Sequence, residues 1–129
     1  MFWPPAGHAV FIDARKFLPH VPRSRFPAQA LTIAIYAASG VRTVEIGSVM
    51  FAHRDKKTGR TIYPQHELVR LAIPRRVYTN SHMDYVADSI ARLLKGRDTI
   101  GGVRITYEPP TLRHFLAHFE PTGDWLSRV

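Results

Sequence analysis

Apolar and polar positions alternate over Leu68 to Ile73, LVRLAI, and predict a strand. Val69, Leu71 and Ile73 share one face; Leu68, Arg70 and Ala72 share the other. The first face is wholly apolar and reads as core, so Arg70 points away from it. Pro74 cannot donate to a ladder and ends the strand. Helical spacing appears twice. Phe26 to Ser39 predicts a helix, with Pro27 suited to its first turn and Gly40 to the position past its end. Ser81 to Asp84 fits a capping box, and the helix it opens runs to about Lys95. There Met83, Val86, Ala87, Ile90, Leu93 and Leu94 form a stripe that reads as core.

Shorter patterns fill the rest. Gly7 to Asp13 is an apolar strand, followed by a helical turn or two around Lys16 and Phe17. Val41 to Phe51 is β-rich, and Gly47 within it marks a bulge or a close backbone approach. Ala52 to Ile62 is polar and reads as a hairpin loop. Gly101-Gly102 turns the chain into a strand over Val103 to Glu108. Leu112 to Glu120 alternates again, with His114, Leu116 and His118 on one face and Phe115, Ala117 and Phe119 on the other. A polar tail follows from Pro121.

This order predicts one α+β domain spanning residues 1–129. Its mostly antiparallel sheet has about four or five strands, and two main helices cover one face. The other face carries Arg70. With one of the His114 or Phe115 sets beside Arg70, it has too much polar and aromatic content for inert solvent surface and too much apolar content to be comfortable bare.

Composition narrows the classes. The chain has 129 residues, 45% hydrophobic, with a formal net charge of +8. The basic residues are dispersed over predicted loops and element ends, so the charge reads as solvated surface and no nucleic-acid partner is expected. Without cysteine there is no disulfide framework, thiolate nucleophile or thiolate metal site. No apolar run approaches the ~20 residues of a membrane span, and the N-terminus lacks the regions of a signal peptide. No membrane partner is expected, and the expected location is cytoplasmic. The chain enters a strand within a few residues of its start, as a domain cut from a longer protein would.

Two residues stand out chemically. A strand-held Arg70 can grip a carboxylate through two parallel hydrogen bonds, or form a salt bridge to Glu45, Glu67 or Glu108. His114 can donate or accept a proton near neutrality, or be a half-buried strand histidine. His114 and His118 share a face, but a zinc site there lacks a third ligand. Glu45 and Ile46 lie on opposite faces, and nothing local makes Glu45 a base. No phosphate-binding or metalloprotease motif is present.

The stretches GHAVFIDARKFLPHVP, FPAQALTIAIYAASGVRTVEIGS, LVRLAIPRRVYTNSHMD and YEPPTLRHF resemble the C-terminal part of the β-eliminating lyases, the tryptophanase and tyrosine phenol-lyase group. The resemblance runs from about Gly7 to Phe119. It implies the small C-terminal domain of the aminotransferase-like fold and a pyridoxal phosphate cofactor in the full-length family. Arg70 then stands where the family binds the substrate α-carboxylate. His114 stands at the tryptophanase active-site histidine, where phenol-lyases have phenylalanine. Ile46 is the tryptophanase-like choice where phenol-lyases place an arginine, and Phe115 joins the substrate-binding set. The implied reaction splits L-tryptophan into indole, pyruvate and ammonia. PRRVYT and HMDYVADSI look as much like phenol-lyase, so a tyrosine-cleaving domain is the alternative, with a freestanding non-catalytic interaction module beside it. The family's cofactor lysine lies upstream of the matching region, so this chain alone is expected to bind no cofactor and to be inactive. Its expected partners are the aromatic amino acid, a large cofactor-binding domain or subunit, and further copies of itself.

Overall fold

The computed structural model describes residues 9–72, 79–107 and 117–128. Strand β1 (Ala9–Asp13) leads into the single-turn helix α1 (Ala14–Phe17). Asp13 makes the corner: its side chain accepts the backbone N–H groups of Arg15 and Lys16, which satisfies donors that a helix start leaves unpaired. Helix α2 (Pro27–Ser39) follows a short 3-10 turn at Arg23–Arg25. Pro27 opens α2 as expected, and Gly40 ends it in the left-handed region at φ 76°. That conformation costs glycine nothing and costs other residues about 1 kcal/mol.

Strand β2 (Val44–Ile46) is shorter than the β-rich run over Val41 to Phe51 suggests, because helix α3 (Ser48–Phe51) replaces its second half. The cause is a pair of carboxylates, Glu45 within β2 and Glu67 just before the strand Leu68–Ala72, described below. Within the stretch expected as a loop, strands β3 (His53–Arg54) and β4 (Thr61–Ile62) form a small hairpin of their own. Its tip is tied by Asp55, which accepts from the Lys57 backbone N–H at 3.0 Å and the Thr58 hydroxyl at 3.0 Å. Strand β5 (Leu68–Ala72) runs antiparallel to both β1 and β2 and sits between them. Helix α4 (Asn80–Lys95), strands β6 (Val103–Tyr107) and β7 (His118–Pro121), and a 3-10 turn at Trp125–Arg128 complete the described chain.

The α+β class and the antiparallel pairing match expectation. Among the described residues, however, the strands are shared among three sheets: β1-β5-β2, β3-β4 and β6-β7. Two physical reasons separate them. Helix α3 interrupts the chain between β2 and β3, and the β3-β4 hairpin brings only exposed side chains at Thr61 and Ile62, so nothing draws it onto the core. The β6-β7 pair reaches the core from the side, through Val103 and Phe119.

Helix α2 covers one face of the central sheet. Leu31, Ala34 and Ile35 pack with Ile12 and Val69 from the sheet and with Leu18, Ile100 and Trp125. Helix α4 packs on α2 rather than directly on the sheet. Its apolar stripe, expected as core, is only half-buried at Met83, Val86, Ile90 and Leu93, and Ser89 is its one buried residue. An apolar groove of about 950 Å³ separates α4 from Val10 and Leu71. The cap of α4 differs by two residues from expectation. Thr79 is the N-cap, its hydroxyl accepts from His82, and His82 Nδ1 accepts the Thr79 N–H at 3.0 Å. Here histidine does what glutamate or glutamine does in the usual capping box.

The polar tail also proves to be docked. Trp125 is buried, and its indole N–H donates to the Gly102 carbonyl at 3.0 Å. A side chain at Gly101 would run into the Trp125 ring, so the Gly101-Gly102 turn makes room for it.

Candidate functional site

Directly opposed residues of an antiparallel pair project to the same face. Arg70 opposes Phe11 on β1 and Val44 on β2, and Leu68 opposes Ile46. Phe11, Asp13, Val44, Ile46, Leu68 and Arg70 therefore share one face; Asp13 caps α1 through its Oδ1 and forms no ion pair among the described residues. Val69, between Leu68 and Arg70, points the other way into the α2 core and is fully buried. The alternation along β5 has thus put Arg70 on the side away from α2. Ile46 is a diagonal neighbour of Arg70, roughly 7–8 Å away by strand geometry, within reach of one small ligand. Arg70 is half-buried, and the residues directly opposing it, Phe11 and Val44, give its stem apolar neighbours.

The salt-bridge alternative for Arg70 finds no support among the described residues. The one ion pair there joins Arg104 to Glu120, on β6 and β7. Two of the three candidate acids are engaged elsewhere. Glu45 faces the opposite side of the sheet, opposing Val69. Its carboxylate accepts backbone N–H groups from Gly47 at 2.6 Å, Val49 at 2.7 Å and Met50 at 3.4 Å. Glu67 accepts the Ser48 backbone N–H at 3.0 Å and also bonds the Ser48 hydroxyl. Both acids are buried, Glu45 at 4% and Glu67 at 0% exposure. Glu108, the third, lies outside the described residues, as do His114 and Phe115.

These two carboxylates are what turn the chain from β2 into α3. A helix start leaves N–H groups without partners, and here two glutamates supply the acceptors. Gly47 is required by the crowding, since a Cβ there would overlap the Glu67 carboxylate. The close approach expected at Gly47 is therefore real, but its neighbour is a side chain from the start of β5. Burial pushes the Glu45 carboxyl up from 4.5 to about 7, the N–H groups of Val49 and Gly47 pull against that, and the charge of Glu67 adds to it. Sequence reading missed this pair because its members are 22 positions apart (67 − 45), and only the β2-β5 register brings them to one corner.

The four lysines, Lys16, Lys56, Lys57 and Lys95, are exposed on α1, on the hairpin tip and at the end of α4. None is on the face that carries Arg70 and Ile46. The described residues therefore place no lysine beside Arg70 and Ile46. They also contain no cluster of three metal-ligating side chains, and no helix among them is long and apolar enough to cross a membrane.

Among the described residues, the central sheet has one face covered by α2 and one that carries Arg70 without an ion pair. Comparison with known proteins identifies the class. The β-eliminating lyase family model matches residues 8–89. The chain is 61% identical over 118 residues to the tyrosine phenol-lyase of Symbiobacterium sp. (strain SC-1), covering 92% of this chain and 26% of that protein. It is 58% identical over 118 residues to the tyrosine phenol-lyase of Pasteurella multocida, with the same coverage. It is 53% identical over 117 residues to the tryptophanase of Hyphomonas neptunium, covering 91% of this chain and 25% of that protein. The chain belongs to the β-eliminating lyase family and spans about a quarter of the length of these relatives, a C-terminal portion.

Proposed function

We propose that this chain is the substrate-orienting portion of a pyridoxal-phosphate-dependent aromatic amino-acid lyase, with Arg70 binding the α-carboxylate. The observation that carries the reading is the Arg70 guanidinium on the sheet face away from α2, beside Ile46, with no ion pair among the described residues. A guanidinium so placed binds a carboxylate through two parallel N–H···O bonds, which fix direction as well as position. The directly opposed Phe11 and Val44 give its stem apolar neighbours. Holding the carboxylate fixes which substituent of the α-carbon faces the proton-accepting group, and such orientation is a large part of catalysis. Ile46 gives an apolar wall for the aromatic side chain, Phe115 adds a second, and His114 hydrogen-bonds near the leaving ring. When bound, pyridoxal phosphate supplies the electron sink for the carbanion. The rest of the polypeptide holds it, and this chain alone neither holds it nor turns over.

The substrate reading is tryptophan, because Ile46 cannot pair with a phenol and His114 suits an indole. A second reading, tyrosine, is favoured by the higher identity to the two phenol-lyases than to the tryptophanase of Hyphomonas neptunium. One experiment separates them. Residues 8–129 replace the matching quarter of the Symbiobacterium enzyme, and the chimera is assayed for indole from L-tryptophan and phenol from L-tyrosine. The expected result is preferential indole release. Arg70→Ala should raise KM at least about 100-fold, the loss of a bidentate charged pair. Unchanged KM in Arg70→Ala refutes the carboxylate role, and preferential phenol release refutes the tryptophan assignment.

A further inference from the structure

A second cationic feature lies at the β1–α1 corner and takes no part in the reading above. A pocket of about 540 Å³ opens between that corner, the Arg23 turn and the approach to β5, and its lining includes Arg15, Lys16, Arg23 and His66. We propose that this pocket binds a small oxyanion, a phosphate or a carboxylate, with Arg23 as its main ligand and Arg15 and Lys16 at its mouth.

Arg23 is held in place but not satisfied. One terminal nitrogen donates to the Gln65 carbonyl at 3.2 Å, and the guanidinium carbon lies 6.0 Å from the centre of the Tyr63 ring. These contacts fix the plane of the fork. Its Nε is buried and has no acceptor among the described residues. A buried donor without an acceptor is costly, so the position calls for one. The pocket's one carboxylate does not supply it. Asp13 spends its Oδ1 on the backbone N–H groups of Arg15 at 3.0 Å and Lys16 at 3.4 Å, and it forms no ion pair among the described residues. Three permanent cations thus surround the cavity against one carboxylate committed to the corner. The two prolines of its wall, Pro19 and Pro22, keep the lining preformed. The volume suits a phosphate ester or a small polycarboxylate, not a macromolecule.

Calorimetric titration of the 129-residue chain with inorganic phosphate, and separately with citrate, at constant ionic strength tests the site. One saturable event is expected. Arg23→Gln should weaken it at least about tenfold, because the charged donor to the anion is lost. The pair Arg15→Ser/Lys16→Ser changes only exposed side chains and leaves the Arg23 turn intact. It should weaken binding about threefold and flatten its salt dependence. The pair Lys56→Ser/Lys57→Ser removes the same charge from the hairpin tip and should leave affinity within about twofold. Tighter phosphate points to a phosphate ester as the natural ligand, and tighter citrate to a carboxylate. Heat without saturation overturns the proposal. So does an equal loss from the hairpin-tip pair, which would mean that the anion answers only to the chain's net charge.

Discussion

Glu45 and Arg70 lie on neighbouring strands of one sheet, one step out of register, and face opposite sides. Around Glu45, with Glu67 beside it, every charge is spent within the molecule: the two carboxylates take backbone N–H groups and a hydroxyl and bend the chain into α3. Around Arg70 the directly opposed residues, Phe11 and Val44, are apolar, and the charge forms no ion pair among the described residues. The difference teaches how to sort buried charge into structure and function. Burying an ion is tolerable only with partners. Where the partners are internal, the charge serves the fold. Where none is found among the described residues, as at Arg70, we propose that a ligand supplies it.

If that division holds, the largest effect comes from the Glu67 side. Glu67→Ala removes the acceptors of the Ser48 N–H and hydroxyl in a fully buried place, and should cost about 3 kcal/mol in chemical denaturation. Gly47→Ala should cost about 2 kcal/mol by overpacking the same corner. Losses under about 0.5 kcal/mol in both would remove the corner from the fold's essential contacts.

The next effect is a pH dependence, with a definite sign. The Glu45 carboxyl titrates near 7 when folded, against an ordinary 4.5. Between these values the unfolded chain has released a proton that the folded chain keeps. Stability attributable to Glu45 is therefore greatest below about pH 4.5, falls as pH rises, and levels off above about 7. A difference of about 2.5 pH units corresponds to roughly 3 kcal/mol. Glu45→Gln should abolish that decline, as read from denaturation midpoints at pH 5 and pH 8. A slope identical to the parent's would mean that Glu45 does not titrate in this window. A smaller test concerns the hairpin tip. Asp55→Ala removes two exposed hydrogen bonds far from either region, and should leave both the stability of the core and the Glu45 slope unchanged.

The pattern of side chains made some of this legible in advance and hid the rest for reasons that can be named. Strand β5 was readable because period-two alternation is local, and it put Arg70 opposite the core face without any knowledge of neighbours. Helix α2 was readable from Pro27, Gly40 and its apolar run. The end of β2 was not, because one of the two agents that stop it, Glu67, acts through a contact 19 residues away (67 − 48), and nothing local shows that the β2-β5 register brings it beside Glu45. The docking of Trp125 was hidden for the same reason: its partner is the Gly102 carbonyl, 23 residues away. Helix α4 has an amphipathic pattern that promises full burial, but a pattern cannot say whether the covering surface belongs to this stretch of chain. The grouping of Ile46 with Arg70 followed only from register, while His114 and Phe115 lie outside the described residues, so their place in the site rests on the family likeness.

Adding pyridoxal phosphate to the chain and reducing with borohydride should label no single lysine, since Lys16, Lys56, Lys57 and Lys95 are all exposed and none is on the Arg70 face. Stoichiometric labelling of one of them, seen by peptide mass, would contradict the proposed division of labour between this chain and the rest of the lyase.

The central claim is that Arg70 is held for a ligand and not for the fold. Equilibrium denaturation of Arg70→Met against the parent tests it most directly, since methionine keeps the apolar stem and deletes only the charge. The account predicts a change within about 0.5 kcal/mol, as for a site without internal partners. A loss of about 3–5 kcal/mol, the cost of breaking a buried ion pair, would contradict it and make Arg70 a structural cation.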